Sequence, residues 1–138
     1  MTAGSLSVTK VHHLTGHQAP VYALERSPDK NFFFSGGGDR YVTRWDMENK
    51  KQPEAIIVAQ STVYSLCLVA EKNLLIIGEQ SGAFHIIDLK NRNEIKNITL
   101  HKVWVFDIKY SPKNNFFFTA SGDGSFAVWD ADTFQLIT

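Results

Sequence analysis

Asn31 to Asp46 reads NFFFSGGGDRYVTRWD, and Asn115 to Asp130 reads NFFFTASGDGSFAVWD. Midway between them, Asn73 to Asp88 reads NLLIIGEQSGAFHIID, opening on the same Asn and closing on the same Asp. The steps from Trp45 to Ile87 and from Ile87 to Trp129 are each 42 residues, and no gap is needed to align them. Val21, Val63 and Val105 share one phase of this period as well. A fixed period of this length marks a series of supersecondary units, none of which buries its hydrophobic faces alone.

Within one period the apolar, β-branched and aromatic residues come in runs of about five, too short for helices and bounded by turn residues. Four strands fit in each unit. In the first they fall at Val21 to Arg26, Phe32 to Gly36, Tyr41 to Trp45 and about Pro53 to Ala59. Ser27-Pro28-Asp29 and Gly37-Gly38-Asp39 supply the turns, since Pro fixes φ, Asp closes an Asx turn and Gly tolerates positive φ. Ser111-Pro112-Lys113-Asn114 and Ser121-Gly122-Asp123-Gly124 repeat both turns in the third unit. The Phe triplets lack alternation, which predicts second strands buried on both faces.

These residues resemble the WD-repeat (tryptophan-aspartate repeat) β-propeller family over nearly the whole chain, from Lys10 to Asp130. The elements that carry the resemblance are Gly16-His17 before the first strand, Ser35 in the second, Asp39 six residues ahead of Trp45, and the closing Trp45-Asp46. His101, Thr119, Asp123 and Trp129-Asp130 match in the third unit, although Leu100 stands where the Gly of Gly-His belongs. The resemblance implies an all-β fold, a β-propeller of WD-repeat type, with three four-stranded blades here as part of a six- to eight-bladed ring. Residues 1–138 then form a single propeller segment: a fourth-type strand at about 9–14, then repeats at about 15–56, 57–98 and 99–138.

The resemblance also implies that His17, Ser35, Asp39 and Trp45 form one hydrogen-bonded cluster, with a second made by His101, Thr119, Asp123 and Trp129. Asp39 accepts from the imidazole, Ser35 joins imidazole to indole, and Trp45 offers its single N–H. The middle unit has Ala59, Ile77, Ser81 and Ile87 at the matching positions. Joint loss implies a network kept whole or replaced by hydrophobic packing, because a half-satisfied buried network is worse than none. A converging Ser, His and Asp also reads as a hydrolase triad. Against that reading, the set occurs twice at one phase of a structural repeat, whereas a triad occurs once, beside an oxyanion hole.

Composition narrows the function classes. Hydrophobic residues make up 43% of the 138, enough for a sizeable core, and 14 Lys plus Arg balance 14 Asp plus Glu. No basic field exists to attract nucleic acid or an anionic membrane. Lys50-Lys51, Lys90 and Arg92 fall in loops and read as solvated charge. The single cysteine, Cys67, lies between Leu66 and Leu68 and reads as a buried, inert thiol. Met1 to Ser5 lacks the pattern of a signal peptide, no apolar run approaches a membrane span, and a cytoplasmic location is expected. Adjacent His12 and His13 point to opposite faces of a strand and do not chelate one metal. Gly36-Gly37-Gly38 lies between strands and reads as a turn rather than a phosphate loop. No cofactor and no metal are expected.

Partner contacts are expected at the loops entering each first strand, where Tyr22, Tyr64 and Phe106 place an aromatic at one phase of all three units. Thr62 and Trp104 lie just ahead of the aligned valines, and Arg40 lies in the adjacent loop. Interface anchors are enriched in aromatics and Arg; blade-to-blade packing competes as an explanation for the rings. The expected function is a non-catalytic scaffold presenting propeller loops to a protein or peptide, with an enzyme or small-ligand binder using the channel as the alternative. Three blades do not close a circle. Either two chains form a six-bladed ring, each opening strand pairing with the partner's Ser125 to Trp129 strand, or further blades belong to a longer chain. Phe134 to Thr138 begins a fourth strand that strand exchange would make redundant.

Overall fold

The computed structural model describes residues 4–28, 31–48 and 52–138. Asp29 of the first expected turn and the loop residues Lys50 and Lys51 lie outside the described residues. The short apolar runs form antiparallel strands bounded by the Gly, Pro and Asn turns. The first blade comprises β1 (Val21–Arg26), β2 (Phe32–Gly37), β3 (Tyr41–Asp46) and β4 (Glu54–Val58), paired in that order. The second comprises β5 (Val63–Val69), β6 (Leu74–Glu79), β7 (Ala83–Asp88) and β8 (Asn93–Thr99), again in sequence order. The third comprises β9 (Val105–Ser111), β10 (Phe116–Ser121) and β11 (Phe126–Asp130). A 3-10 turn, Ala70–Lys72, joins β5 to β6. Asn73 and Asn115, at the repeated Asn phase, have φ of 54° and 55°, a left-handed turn that Asn tolerates better than β-branched residues.

The blades pack face to face through their inner strands, β1 and β2 against β5, then β5 and β6 against β9. Between the first pair lie Ala23, Phe34, Val63, Leu66, Leu75 and Ile77; between the second, Ile76, Phe84, Ile108, Phe117 and Trp129 join one core. Fully burying each large side chain of this kind contributes about 1.5–3 kcal/mol. Close approach requires glycine at two junctions. A Cβ on Gly36 would lie 2.6 Å from Val63 Cγ1, and one on Gly78 would lie 2.9 Å from Val105 Cγ1.

Three expectations require correction. Burial on both faces holds for β6, every residue of which is buried, but not for the Phe triplets, in which only Phe34 and Phe117 are. The middle blade is covered from both sides, whereas each flanking blade leaves one face open. The third blade is three-stranded rather than four-stranded; Leu136 bridges Trp129, and Val128 exchanges backbone hydrogen bonds with Ile137 and Thr138, as a fourth strand begins. Residues 9–14 form no strand. Val11 and Leu14 stay exposed there, because an extended segment becomes a strand only on pairing; the strand it was expected to join is that of a partner copy, and in this chain the corresponding β11 edge holds the tail.

Candidate functional site

In the first blade, the loop before β1 carries His17 over the end of β2. Its Nδ1 lies 2.8 Å from Asp39 Oδ2 and its Nε2 lies 2.6 Å from Ser35 Oγ, which also accepts the Trp45 indole N–H at 2.7 Å. Asp39 accepts the backbone N–H groups of Gln18 and Tyr41 at 3.0 and 3.1 Å. Burial pushes the Asp39 carboxyl up, but these donors and His17 outweigh it and hold the group below the ordinary carboxylate range. In the third blade, Thr119 Oγ1 links His101 Nε2 at 2.8 Å to the Trp129 indole at 3.0 Å. The carboxylate link is indirect there: His101 Nδ1 meets Ser125 Oγ at 3.0 Å, and Ser125 in turn bonds Asp123. That hydroxyl, with the backbone N–H of Lys102, holds Asp123 far below its usual range.

The Asp39, His17 and Ser35 contacts have the connectivity of a nucleophilic triad, yet Ser35 is only 2% exposed. A buried hydroxyl with its lone pair held by an indole meets no substrate. The cluster braces the loop before β1 against the end of β2.

The middle blade departs from expectation. Its polar network is not exchanged for hydrophobic packing; it has moved. Glu79, 0% exposed, accepts the backbone N–H of Gln60 at 2.8 Å and the hydroxyls of Ser61 and Ser81. Gln60 shares the phase of Gln18 and Lys102, so Glu79 delivers a carboxylate to the same backbone donor from a position two residues earlier in the chain. His85 of β7 faces Glu79 Oε1 at 3.0 Å through Nε2, off the direction of a hydrogen bond, and Glu94 Oε2 at 2.6 Å through Nδ1. Burial disfavours the imidazolium, but the two carboxylates outweigh it and raise His85 above its ordinary value. Glu79 is lowered despite burial, through His85 and the Gln60 N–H. The sequence did hold a signal: a carboxylate ending the apolar run Leu74 to Gly78, and an imidazole inside AFHIID, require buried partners.

Four of the candidate contact residues, Tyr22, Tyr64, Trp104 and Phe106, meet at the inner edges of the blades. Tyr22, Tyr64 and Phe106 are each the extra residue of a β-bulge, skipped by the pairing of Val21 and Ala23, Val63 and Ser65, and Val105 and Asp107 with their neighbouring strands. A bulge re-aims a side chain, and here it brings the three rings into line. Tyr22 and Tyr64 are 4.9 Å apart between centroids, and Tyr64 and Phe106 are 6.0 Å apart. Trp104 lies 5.4 Å from Phe106 and 6.1 Å from Tyr64. Tyr22 and Phe106 remain 52% exposed. Trp104 is less presented than its sequence context implied: it is half-buried, its indole edge lies against Gly122, and its buried N–H has no partner among the described residues. Thr62 is half-buried and its carbonyl accepts the Gln80 N–H. Arg40 is exposed with φ of 70°, at the phase where Gly82 and Gly124 have φ of 89° and 85°. A side chain is thus held in a turn that the other blades assign to glycine.

Radially packed antiparallel blades with these two clusters define a WD-repeat β-propeller segment. The family model for the WD40 repeat (WD domain, G-beta repeat) matches residues 8–46 and 92–130, more than half of the chain, and the chain belongs to that family. Neither match takes in β5, β6 or β7, the strands of the blade whose polar network has moved. Similar proteins include WD repeat-containing protein 55 of Rattus norvegicus, 24% identical over 119 residues, covering 86% of this chain and 30% of that protein. Transcription factor unc-37 of Caenorhabditis elegans is 27% identical over 131 residues, 92% of this chain and 21% of that protein. Target of rapamycin complex subunit LST8 of Bos taurus is 27% identical over 103 residues, 74% of this chain and 32% of that protein. The chain therefore spans about a third or less of these relatives. Among solved structures, U3-55K superposes with a TM-score of 0.82 at 21% identity, covering 91% of this chain and 40% of that one. The RRP9 WD40 repeats give 0.81 at 20% identity, covering 91% and 39%. These likenesses establish the fold. WD40 proteins are generally protein-interaction scaffolds and typically non-catalytic. Among the described residues no helix is long and apolar enough to cross a membrane.

Proposed function

We propose that this chain contributes a binding surface for a protein or peptide partner, centred on Tyr22, Tyr64, Trp104 and Phe106, with Arg40 and Thr62 as further contacts. The observation that carries the reading is the bulge repeated in three blades, which turns an aromatic toward its neighbours each time. Half-exposed rings at both ends supply large contact area with few rotamers to freeze. Arg40 supports it further, since a left-handed turn is costly for a side chain and is retained where glycine serves the other blades. The ring is completed either by a second copy of the chain or by further blades of a longer one, and the expected cytoplasmic location belongs to this reading.

A photoreactive phenylalanine analogue at position 106 tests it in cells. Protein or peptide adducts that disappear in Tyr22→Ser support the surface. Adducts insensitive to Tyr22→Ser, or a co-purifying metabolite in place of any polypeptide, overturn it in favour of small-ligand binding.

A further inference from the structure

The two internal blade junctions serve as templates for the open face of the third blade. At each, a glycine of the leading blade receives the valine that opens the next, Gly36 under Val63 and Gly78 under Val105. The matching residue of the third blade is Ala120, which pairs with Asp107 and Phe126 just as Gly78 pairs with Ser65 and Phe84. It carries the Cβ that the internal junctions exclude. Ser65 Oγ donates to the Val105 carbonyl across the second junction at 2.7 Å, and its phase in the third blade holds Asp107, which only accepts. Glu25 Oε2 accepts the Leu68 N–H across the first junction at 2.9 Å, and its phase holds Lys109, which only donates. Asp107 and Lys109 pair with each other at 3.0 Å on this exposed face. Around them Phe126 is 71% exposed, although its counterparts Val42 and Phe84 are fully buried.

A second copy docked head to tail in the same register would set Val21 on the Ala120 Cβ, the Val21 carbonyl against the Asp107 carboxylate, and the Arg26 N–H against the Lys109 ammonium. All three contacts are unfavourable. We infer that this face rejects the first blade of a second copy and receives instead a different β-blade, one with a residue smaller than valine at the Val63 and Val105 phase, a donor toward Asp107 and an acceptor toward Lys109. Steric and polar mismatch of this kind is how an interface excludes a wrong partner of the same fold.

The test combines the serine of the second junction, the glutamate of the first and the glycine of both in the triple variant Asp107→Ser, Lys109→Glu, Ala120→Gly, and measures self-association of the whole chain by sedimentation velocity. All three positions are exposed, so far-UV circular dichroism is expected to match wild type. Leu24, 70% exposed, lies on the face of the first blade that would dock there, and Leu24→Glu identifies association that uses the junction. The triple variant is expected to associate about tenfold more tightly than wild type, and Ala120→Gly alone about threefold, with both gains removed by Leu24→Glu. Wild-type association that Leu24→Glu weakens overturns the inference, as does the lack of a Leu24-dependent gain in both variants.

Discussion

The backbone N–H of Gln60 is bonded to Glu79 Oε1 at 2.8 Å, and Glu79 has no exposed surface. The flanking blades satisfy the equivalent donors, Gln18 and Lys102, with Asp39 and Asp123. One physical requirement, a carboxylate on that amide, is thus met from two positions in the chain. In the middle blade the carboxylate comes from β6 itself, deep enough to need the imidazole of His85 as its counter-charge.

Removing Glu79 leaves the imidazole of His85 with Glu94 alone as its counter-charge and the Gln60 amide without an acceptor. Glu79→Ala is expected to lower stability by about 3–5 kcal/mol, the range for breaking a buried pair from one side. Equilibrium urea unfolding measures it, and a loss below about 1 kcal/mol would contradict the assignment.

Ser81 occupies the phase of Asp39 and Asp123, so Ser81→Asp looks like repair toward the flanking blades. Its hydroxyl lies 3.3 Å from Glu79 Oε2, however, and a second carboxylate there repels the first. The variant is expected to be destabilised by about 1 kcal/mol, and the loss should vanish in a Glu79→Gly background.

The linkage to pH has a defined window. His85 is raised above its ordinary 6.5, so its stabilisation is complete below that value and is lost as pH rises through the folded pKa. Glu79 is lowered below 4.5, so its contribution is present above 4.5 and is lost as pH falls through the folded pKa. The stability difference between wild type and His85→Gln is therefore expected to peak between pH 4.5 and 6.5. A thermal-melt series that shows a pH-independent difference would sink the paired-charge account.

In the first blade, His17→Ala leaves Ser35 and Asp39 short of a partner, and a loss of about 1–3 kcal/mol is expected. Equal urea midpoints for variant and wild type would show that the cluster braces nothing.

Arg40→Gly separates stability from binding. Glycine relieves the left-handed turn, so the variant is expected to be as stable as wild type or up to about 1 kcal/mol more so. Under the proposed function the same change reduces cross-linking from position 106; undiminished cross-linking would remove Arg40 from the surface.

Much of this architecture was legible along the chain, because strand length, turn residues and phase are local properties. β1, with its Pro28 turn, and β2, which runs into Gly37, follow from residues within a few positions of each other. The His17 and His101 clusters were legible through resemblance. The Glu79, His85 and Glu94 group was not, since comparison at matched phases finds only Ala59, Ile77, Ser81 and Ile87, while the replacement lies on β6, β7 and β8. The bulges at Tyr22, Tyr64 and Phe106 were also hidden, because they are defined by how two strands pair.

By itself the sequence determined the period, the strands within it and the family, because a repeated pattern of apolar runs and turn residues admits few chain geometries. Only the tertiary structure decided which faces are covered, where the middle blade keeps its charge and which aromatics meet. Those depend on close approach between residues some 40 positions apart, such as Ser65 Oγ and the Val105 carbonyl, which the order of residues along one strand does not encode.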